Sequence, residues 1–168
     1  MLENPEGDRK EVLLKEFFTD YKKLNKDHAD YIREMRFTLP GESDHFNFEK
    51  ISKREHLDIA TVNSALSIRV NENRIEKIHL SAGGVAPIPL YLKETCRYLT
   101  GKILNQETLL KANEIIQEEI SPISDIRGSM QYKRLLLRQL FFAHFLELFP
   151  GKFNLTQLTQ KGGANDKH

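Results

Sequence analysis

The period-two alternation between Asp58 and Val70 constrains this chain more than any other feature. Ala60, Val62, Leu66, Ile68 and Val70 are apolar at even positions, with Ser64 the exception. Thr61, Asn63, Ser67 and Arg69 are polar at odd positions, with Ala65 the exception. Successive side chains of a strand point to opposite faces, so the pattern describes a strand with one face on a core and one in water. Asn71-Glu72-Asn73 supplies turn chemistry, and Ile78, Leu80 and Ala82 then share one face of a second strand. The two runs read as a β-hairpin with a short loop. Phe46 to Ile51 is a further candidate strand leading into it.

Beyond the hairpin the pattern turns helical. Pro89 is suited to precede or open a helix because it lacks an N–H, and Leu92, Cys96 and Leu99 line one face of that helix, with Gly101 placed for the C-terminal cap. Asn105 is a good N-cap for a second helix whose apolar stripe is Leu109, Ala112, Ile116 and Ile120, stopped by Ser121-Pro122. A third helix runs from near Ser129 to Phe149 and ends at Pro150-Gly151. Its apolar positions, among them Leu136, Leu140, Phe141, Phe142, Phe145 and Phe149, cover more than one stripe, as expected of a helix buried from two sides or shared with a partner. Strands followed by helices, rather than alternating with them, define an α+β chain.

The first forty residues fit this scheme less well. Arg9 to Leu14 suggests a short strand, Leu14, Phe17, Phe18 and Tyr21 have helical spacing, and Tyr31, Met35, Phe37 and Leu39 alternate again up to Pro40-Gly41. They carry too few apolar side chains to bury a core alone. Gly41 to His45 is a plausible boundary, and Lys152 onward has the composition of a flexible tail.

Composition narrows the function classes. A net charge of +1 provides no global field for nucleic acid or an anionic membrane. The single cysteine, Cys96, excludes an intramolecular disulfide and a cysteine-only metal or iron–sulfur site. No basic-then-apolar leader opens the sequence and no apolar run approaches the roughly 20 residues of a membrane span, so a cytoplasmic location is expected.

Among candidate chemical groups, the six histidines show no metal-ligand spacing, and Cys96 on an apolar helix face reads as a structural thiol. His56 and Asp58 are close enough in sequence for an acid–base pair. Gly83-Gly84 after a strand permits close backbone approach, either to a phosphate or flavin or within a strand-ending turn. Lys50, Lys53 and Arg54 can hold a carbonyl or phosphate through charge-assisted hydrogen bonds, or form a basic rim paired to Glu49 and Glu55.

Three of these segments together resemble a known family. They are Phe48-x-Lys50-x-x-Lys53-Arg54-x-x-x-Asp58-x-Ala60, Gly83-Gly84-Val85-Ala86-Pro87-x-Pro89, and Ser124-Asp125-x-Arg127-Gly128-Ser129-x-x-Tyr132-Lys133-Arg134. In this order they are similar to the C-terminal part of the FAD-binding subunit of molybdenum hydroxylases, of the xanthine dehydrogenase type. Leu14-x-x-Phe17-Phe18-x-x-Tyr21-Lys22-Lys23 resembles the end of the same subunit's second FAD-binding subdomain. The likeness runs over roughly residues 9 to 150.

The resemblance implies a three-stranded antiparallel sheet packed against a three-helix bundle, preceded by a short remnant of an FAD-binding subdomain. The expected division is 1–41 for the remnant, 42–151 for the C-terminal domain and 152–168 for a tail. It implies electron relay from molybdenum through iron–sulfur clusters to FAD, and then to NAD or oxygen. Lys50 is expected to reach the isoalloxazine, the loop with Ser52, Arg54 and Asp58 to lie beside it, and Ile32 to pack against the ring. Such subunits hold the FAD pyrophosphate on N-terminal glycine-rich loops that this sequence does not contain. The chain is therefore expected to be a C-terminal fragment that binds FAD weakly or not at all by itself. Its partners would be the N-terminal FAD-binding portion and the iron–sulfur and molybdopterin subunits or domains. The competing expectation is a non-catalytic assembly module, a homodimer built through Phe141, Phe142, Phe145 and Phe149. Neither nucleic acid nor a membrane is expected as a partner.

Overall fold

The computed structural model describes residues 1–54, 56, 58–154, 156 and 158. The first part of the chain is a set of short pieces. β1 (Leu2–Glu3) pairs antiparallel with β2 (Arg9–Lys10) and with β5 (Tyr31–Ile32), while one helical turn, α1 (Leu14–Phe17), leads into the β3 (Phe18–Asp20) and β4 (Lys23–Leu24) ribbon. The helix expected through Tyr21 stops after one turn, and the strand expected through Leu39 after Ile32. The physical reason is the same for both. Leu14, Tyr21, Met35, Phe37 and Leu39 are all exposed, so the periodic faces have nothing to pack against, and a lone helix of this length is unstable in water. The centre of this unit is polar. The Glu3 carboxylate is nearly buried and accepts from the Tyr31 hydroxyl, the Arg9 guanidinium and Arg33. Those donors, Tyr31 foremost, hold its pKa down to about 2.

The second part is the expected α+β body. β6 (Asp44–Ile51), β7 (Val62–Asn71), β8 (Arg74–Gly83) and the short β9 (Leu90–Tyr91) form an antiparallel sheet in that spatial order, so a two-residue fourth strand joins the expected three. β7 and β8 are joined by Glu72 and Asn73 with φ of 45° and 66°. Positive φ at both central residues gives a two-residue turn the twist that matches its flanking strands. Val62, Ser64, Leu66 and Ile68 of β7 and Ile78, Leu80 and Ala82 of β8 are buried beneath the helices.

α2 (Lys93–Leu99) buries Cys96 and Leu99, with the preceding Leu92 also buried. The Cys96 Sγ accepts from the Leu80 amide at 3.2 Å, and burial pushes its thiol pKa up, so it is a structural thiol. Glu119 caps the start of α2, accepting from the amides of Glu94 (2.7 Å) and Thr95 (2.8 Å). α3 (Gln106–Glu119) starts at Asn105, whose side chain accepts from the Thr108 amide at 2.9 Å, and buries Leu109, Ala112 and Ile116, with Ile120 buried just beyond it. α4 (Met130–Leu148) starts at Ser129, whose Oγ accepts from the Tyr132 amide at 3.2 Å.

The two-sided burial of α4 is internal. Phe141, Phe142 and Phe145 are fully buried, with ring centroids 5.4 Å (141–142) and 5.2 Å (141–145) apart, and Phe149 stacks on Phe145. Burial of each phenylalanine contributes about 2 kcal/mol, and no part of this cluster is free to hold a partner. The expected dimer surface is corrected at Phe141, Phe142 and Phe145, which are core, while Phe149 is partly buried against it. In the expected flexible tail, Phe153 sets its ring edge against Phe145 and Leu158 is buried in the same core; residues 155, 157 and 159–168 lie outside the described residues. Among the described residues no helix is long and apolar enough to cross a membrane.

Candidate functional site

Lys50 is the penultimate residue of β6, opposite Asn63 of β7. Beyond it the chain must turn back to begin β7, and it does so through a loop closed by its own polar groups. The Lys50 Nζ donates to the Asp58 carbonyl (2.8 Å), the Ser52 hydroxyl to the Arg54 carbonyl (2.8 Å), and the Arg54 amide to Asp58 Oδ2 (2.9 Å). The Arg54 guanidinium stands 3.4 Å from Asp58 Oδ1. Burial pushes the Asp58 carboxyl up, but the Arg54 amide and guanidinium outweigh it and leave the pKa below the usual value. The structure thus brings Lys50, near the end of β6, together with Ser52, Arg54 and Asp58 of the loop, of which Arg54 and Asp58 line a cleft. Asp58 is engaged with Arg54 and Lys50 rather than with His56, while Glu55 and Leu57 lie outside the described residues.

A second loop meets the first. Asp125 and Gly128 exchange backbone hydrogen bonds of 3.0 and 3.1 Å, making a tight turn. It is fixed from several directions. The Asp125 carboxylate accepts from the Arg127 amide (2.8 Å) and pairs with the buried Lys133 ammonium at 2.8 Å, which also donates to the Ile123 carbonyl (2.9 Å). Lys133 chiefly, then the Arg127 amide, holds the Asp125 carboxyl below its ordinary pKa. Ser124 Oγ accepts from the Met130 amide (3.0 Å), tying the turn to the start of α4. Lys53 donates its ammonium to the Ile126 carbonyl and so fastens the two loops together.

Between them lies a cleft lined by Lys53, Arg54, Asp58, Ile59, Thr61, Ile126 and Arg127. Ile59 is 70% exposed and Ile126 89%. Aliphatic side chains held out to water among three cations suit the face and carbonyl edge of a planar, electron-accepting ring such as a flavin, with the cations as hydrogen-bond donors. The fit is to one side of that group. Gly83 and Gly84 do not cradle a phosphate: a Cβ on Gly83 would meet the Asn63 side chain, and one on Gly84 (φ 82°) would overlap the Thr61 carbonyl oxygen. Their close approach is to β7, as a strand-ending turn requires. Ile32 is not part of the cleft. It lies on β5, half-exposed, beside a separate apolar hollow with Leu2, Leu13, Met35 and Phe37.

Ile59, Ile126 and Arg127 are lining residues that pattern reading left without a role, the last two on a distant turn. That segment carries Ser124, Asp125 and Gly128 at turn spacing, but only the fold puts that turn beside a loop some 73 positions earlier. Among the described residues no group of three His, Cys, Asp or Glu side chains stands together to hold a metal ion.

A helix-backed antiparallel sheet with this cleft at one end defines an α+β domain. Residues 48–148 match the CO dehydrogenase flavoprotein C-terminal domain, and the chain belongs to that family. It is 27% identical over 144 residues to the xanthine dehydrogenase/oxidase of Gallus gallus, covering 84% of this chain and 11% of that protein. It is 33% identical over 101 residues to the glyceraldehyde dehydrogenase medium chain of Sulfolobus acidocaldarius, covering 60% of this chain and 36% of that one. Among solved structures it superposes on a chain of carbon monoxide dehydrogenase from Hydrogenophaga pseudoflava with a TM-score of 0.78 at 24% identity, covering 83% of this chain and 48% of that chain. Quinoline 2-oxidoreductase from Pseudomonas putida 86 gives 0.73 at 20% identity, covering 88% and 50%. The chain therefore spans about half of the solved chains it matches and about a tenth of the xanthine dehydrogenases.

Proposed function

We propose that this chain supplies one wall of the FAD site in a xanthine dehydrogenase-like molybdenum hydroxylase. In this reading residues 42–151 are the C-terminal domain of the flavoprotein, 1–41 the end of the preceding FAD-binding subdomain and 152–168 a tail. The observation that carries it is the convergence of the 52–61 loop and the 123–129 turn on one basic, aliphatic cleft within the matched residues. When bound, FAD accepts electrons relayed from molybdenum through iron–sulfur clusters and hands them to NAD or oxygen. The chain's own residues orient the ring and exclude water. Lys50 and Arg54 donate to its carbonyl edge, Ser52 and Asp58 hold the loop that carries them, and Ile32 closes the junction with the N-terminal FAD-binding portion. That portion, and iron–sulfur and molybdopterin subunits or domains, are the partners, in the cytoplasm.

A fluorescence titration of FAD with the purified chain, beside Lys50→Ala and Arg54→Ala, tests the assignment. Weak saturable quenching that each variant reduces several-fold is expected. Quenching that neither variant changes rejects Lys50 and Arg54 as the wall, and absence of quenching assigns retention of the flavin to the N-terminal portion. Tight stoichiometric binding by the chain alone rejects the division of the site between two portions.

A further inference from the structure

Among the described residues β6 has no strand on its outer edge, whereas the outer edge of β8 is met by β9 at Ser81 and Ala82 and by the 101–103 segment at Arg74 and Ile75. A long edge with exposed aromatic side chains is a template for another strand unless it is blocked. Natural blocks are an edge proline, a bulge, a covering helix or loop, or charged side chains, which on β6 would have to be matched by a partner's. β6 contains no proline and keeps unbroken one-to-one register with β7 over its whole length. On its open face Phe46 is 62% exposed and Phe48 52%, flanked by Asp44 and Lys50. On its other face His45 packs its ring against Phe149 and Asn47 bonds to His144.

We propose that β6 pairs antiparallel with β6 of a second copy, in the register centred on Asn47. If both copies keep their helices on the same side, only residues from the same face can be opposed. Centring on Asn47 sets Asp44 opposite Lys50, Phe46 opposite Phe48, and His45 opposite Glu49, each occurring twice by symmetry. The neighbouring same-face registers set Asp44 against Phe48 or Lys50 against Phe46, so the central one alone matches charge with charge and ring with ring inside the strand. Opposite charges and aromatic pairs directly across strands are favourable. Arg69 already grips Asp44 through two 2.9 Å bonds. The second copy's Lys50 extends this to a row of three alternating charges, exchanging the Asp58 carbonyl for a carboxylate. In this pairing Lys50 bonds to the second copy's carboxylate and not to a flavin carbonyl, so the dimer is a state of the chain without bound FAD.

Sedimentation velocity of the full chain at tens of micromolar is expected to give twice the monomer mass. Phe46→Lys, at an exposed position, is expected to give a monomer with an unchanged far-UV circular dichroism spectrum. The register is read by cysteine pairs. Directly opposed Cβ atoms lie about 5 Å apart and diagonal ones about 7–8 Å, beyond disulfide reach. Under oxidation a mixture of Phe46→Cys and Phe48→Cys chains should cross-link and either variant alone should not, with the buried Cys96 silent. A wild-type monomer under these conditions overturns the proposal, and so does cross-linking by one variant alone.

Discussion

His144 lies fully buried on α4 beneath the sheet, and its surroundings admit only one protonation state. Asn47 Nδ2 is 2.8 Å from a Glu49 carboxylate oxygen, which can only accept, so that atom is the amide nitrogen and a donor. The same Nδ2 is 3.1 Å from His144 Nδ1, which must then accept. The proton sits on Nε2, which donates to Ser64 Oγ (3.0 Å), and Ser64 passes its own hydrogen to the Ser81 carbonyl (3.2 Å). A second ring proton would point at an N–H and would bring a charge into the core. Burial depresses the pKa to about 4, with Glu49 opposing only weakly. Between pH 6.5 and 4 the unfolded chain takes up a proton that the folded chain refuses, so stability falls as pH falls through that window and this loss ends below about pH 4. At about 1.4 kcal/mol per tenfold change in proton affinity, the whole effect is roughly 3 kcal/mol. His144→Gln keeps a donor near the Nε2 position and removes the titration. Urea unfolding followed by far-UV circular dichroism should show wild type more stable at pH 7, with its advantage shrinking by roughly 3 kcal/mol at pH 4. Carboxylate contributions cancel in that difference. A wild-type-to-variant gap that stays constant with pH would refute the buried neutral imidazole.

Two further perturbations test the loops that shape the cleft. Gly84→Ala forces a side chain into the left-handed region and onto the Thr61 carbonyl, and should cost at least about 2 kcal/mol. Gly101→Ala, with a φ of 80° but open space, should cost only about 1 kcal/mol; equal losses in thermal unfolding would remove the contact from the explanation. Lys133→Met leaves the Asp125 carboxylate and the Ile123 carbonyl without their buried partner. It should destabilise by about 3 kcal/mol and speed amide exchange at Arg127 and Gly128, and unchanged exchange there would count against Lys133 as the anchor of the turn.

The parts of the fold legible in the sequence are those governed by local chemistry. The hairpin showed in the alternation around Leu66, the helix starts in Asn105 and Ser129, and the stripe of α3 in its spacing. Ser64, an apparent break in the apolar face, is the residue the buried His144 requires, and its partner lies 80 positions away. The N-terminal pieces misled because Leu14, Phe17 and Tyr21 have helical spacing without a surface to meet. The apolar excess of α4 was visible, but burial by its own domain and burial by a partner give the same pattern. Lys50, Ser52, Arg54 and Asp58 were legible as a candidate group because they are neighbours in sequence. Ile126 and Arg127 were not, because a turn and a loop become one cleft only after β6, β7 and α4 have packed.

Glu3 carries a consequence for how the chain comes apart. The strands around it have a carboxylate with three donors where the sheet domain has a hydrocarbon interior. Part of their cohesion is this charge cluster, which weakens when Glu3 takes up a proton and, through the half-exposed Arg9 and Arg33, partly with added salt. The apolar body is strengthened by excluded salts such as sulfate. One polypeptide thus joins two regions whose responses to the same salt have opposite signs.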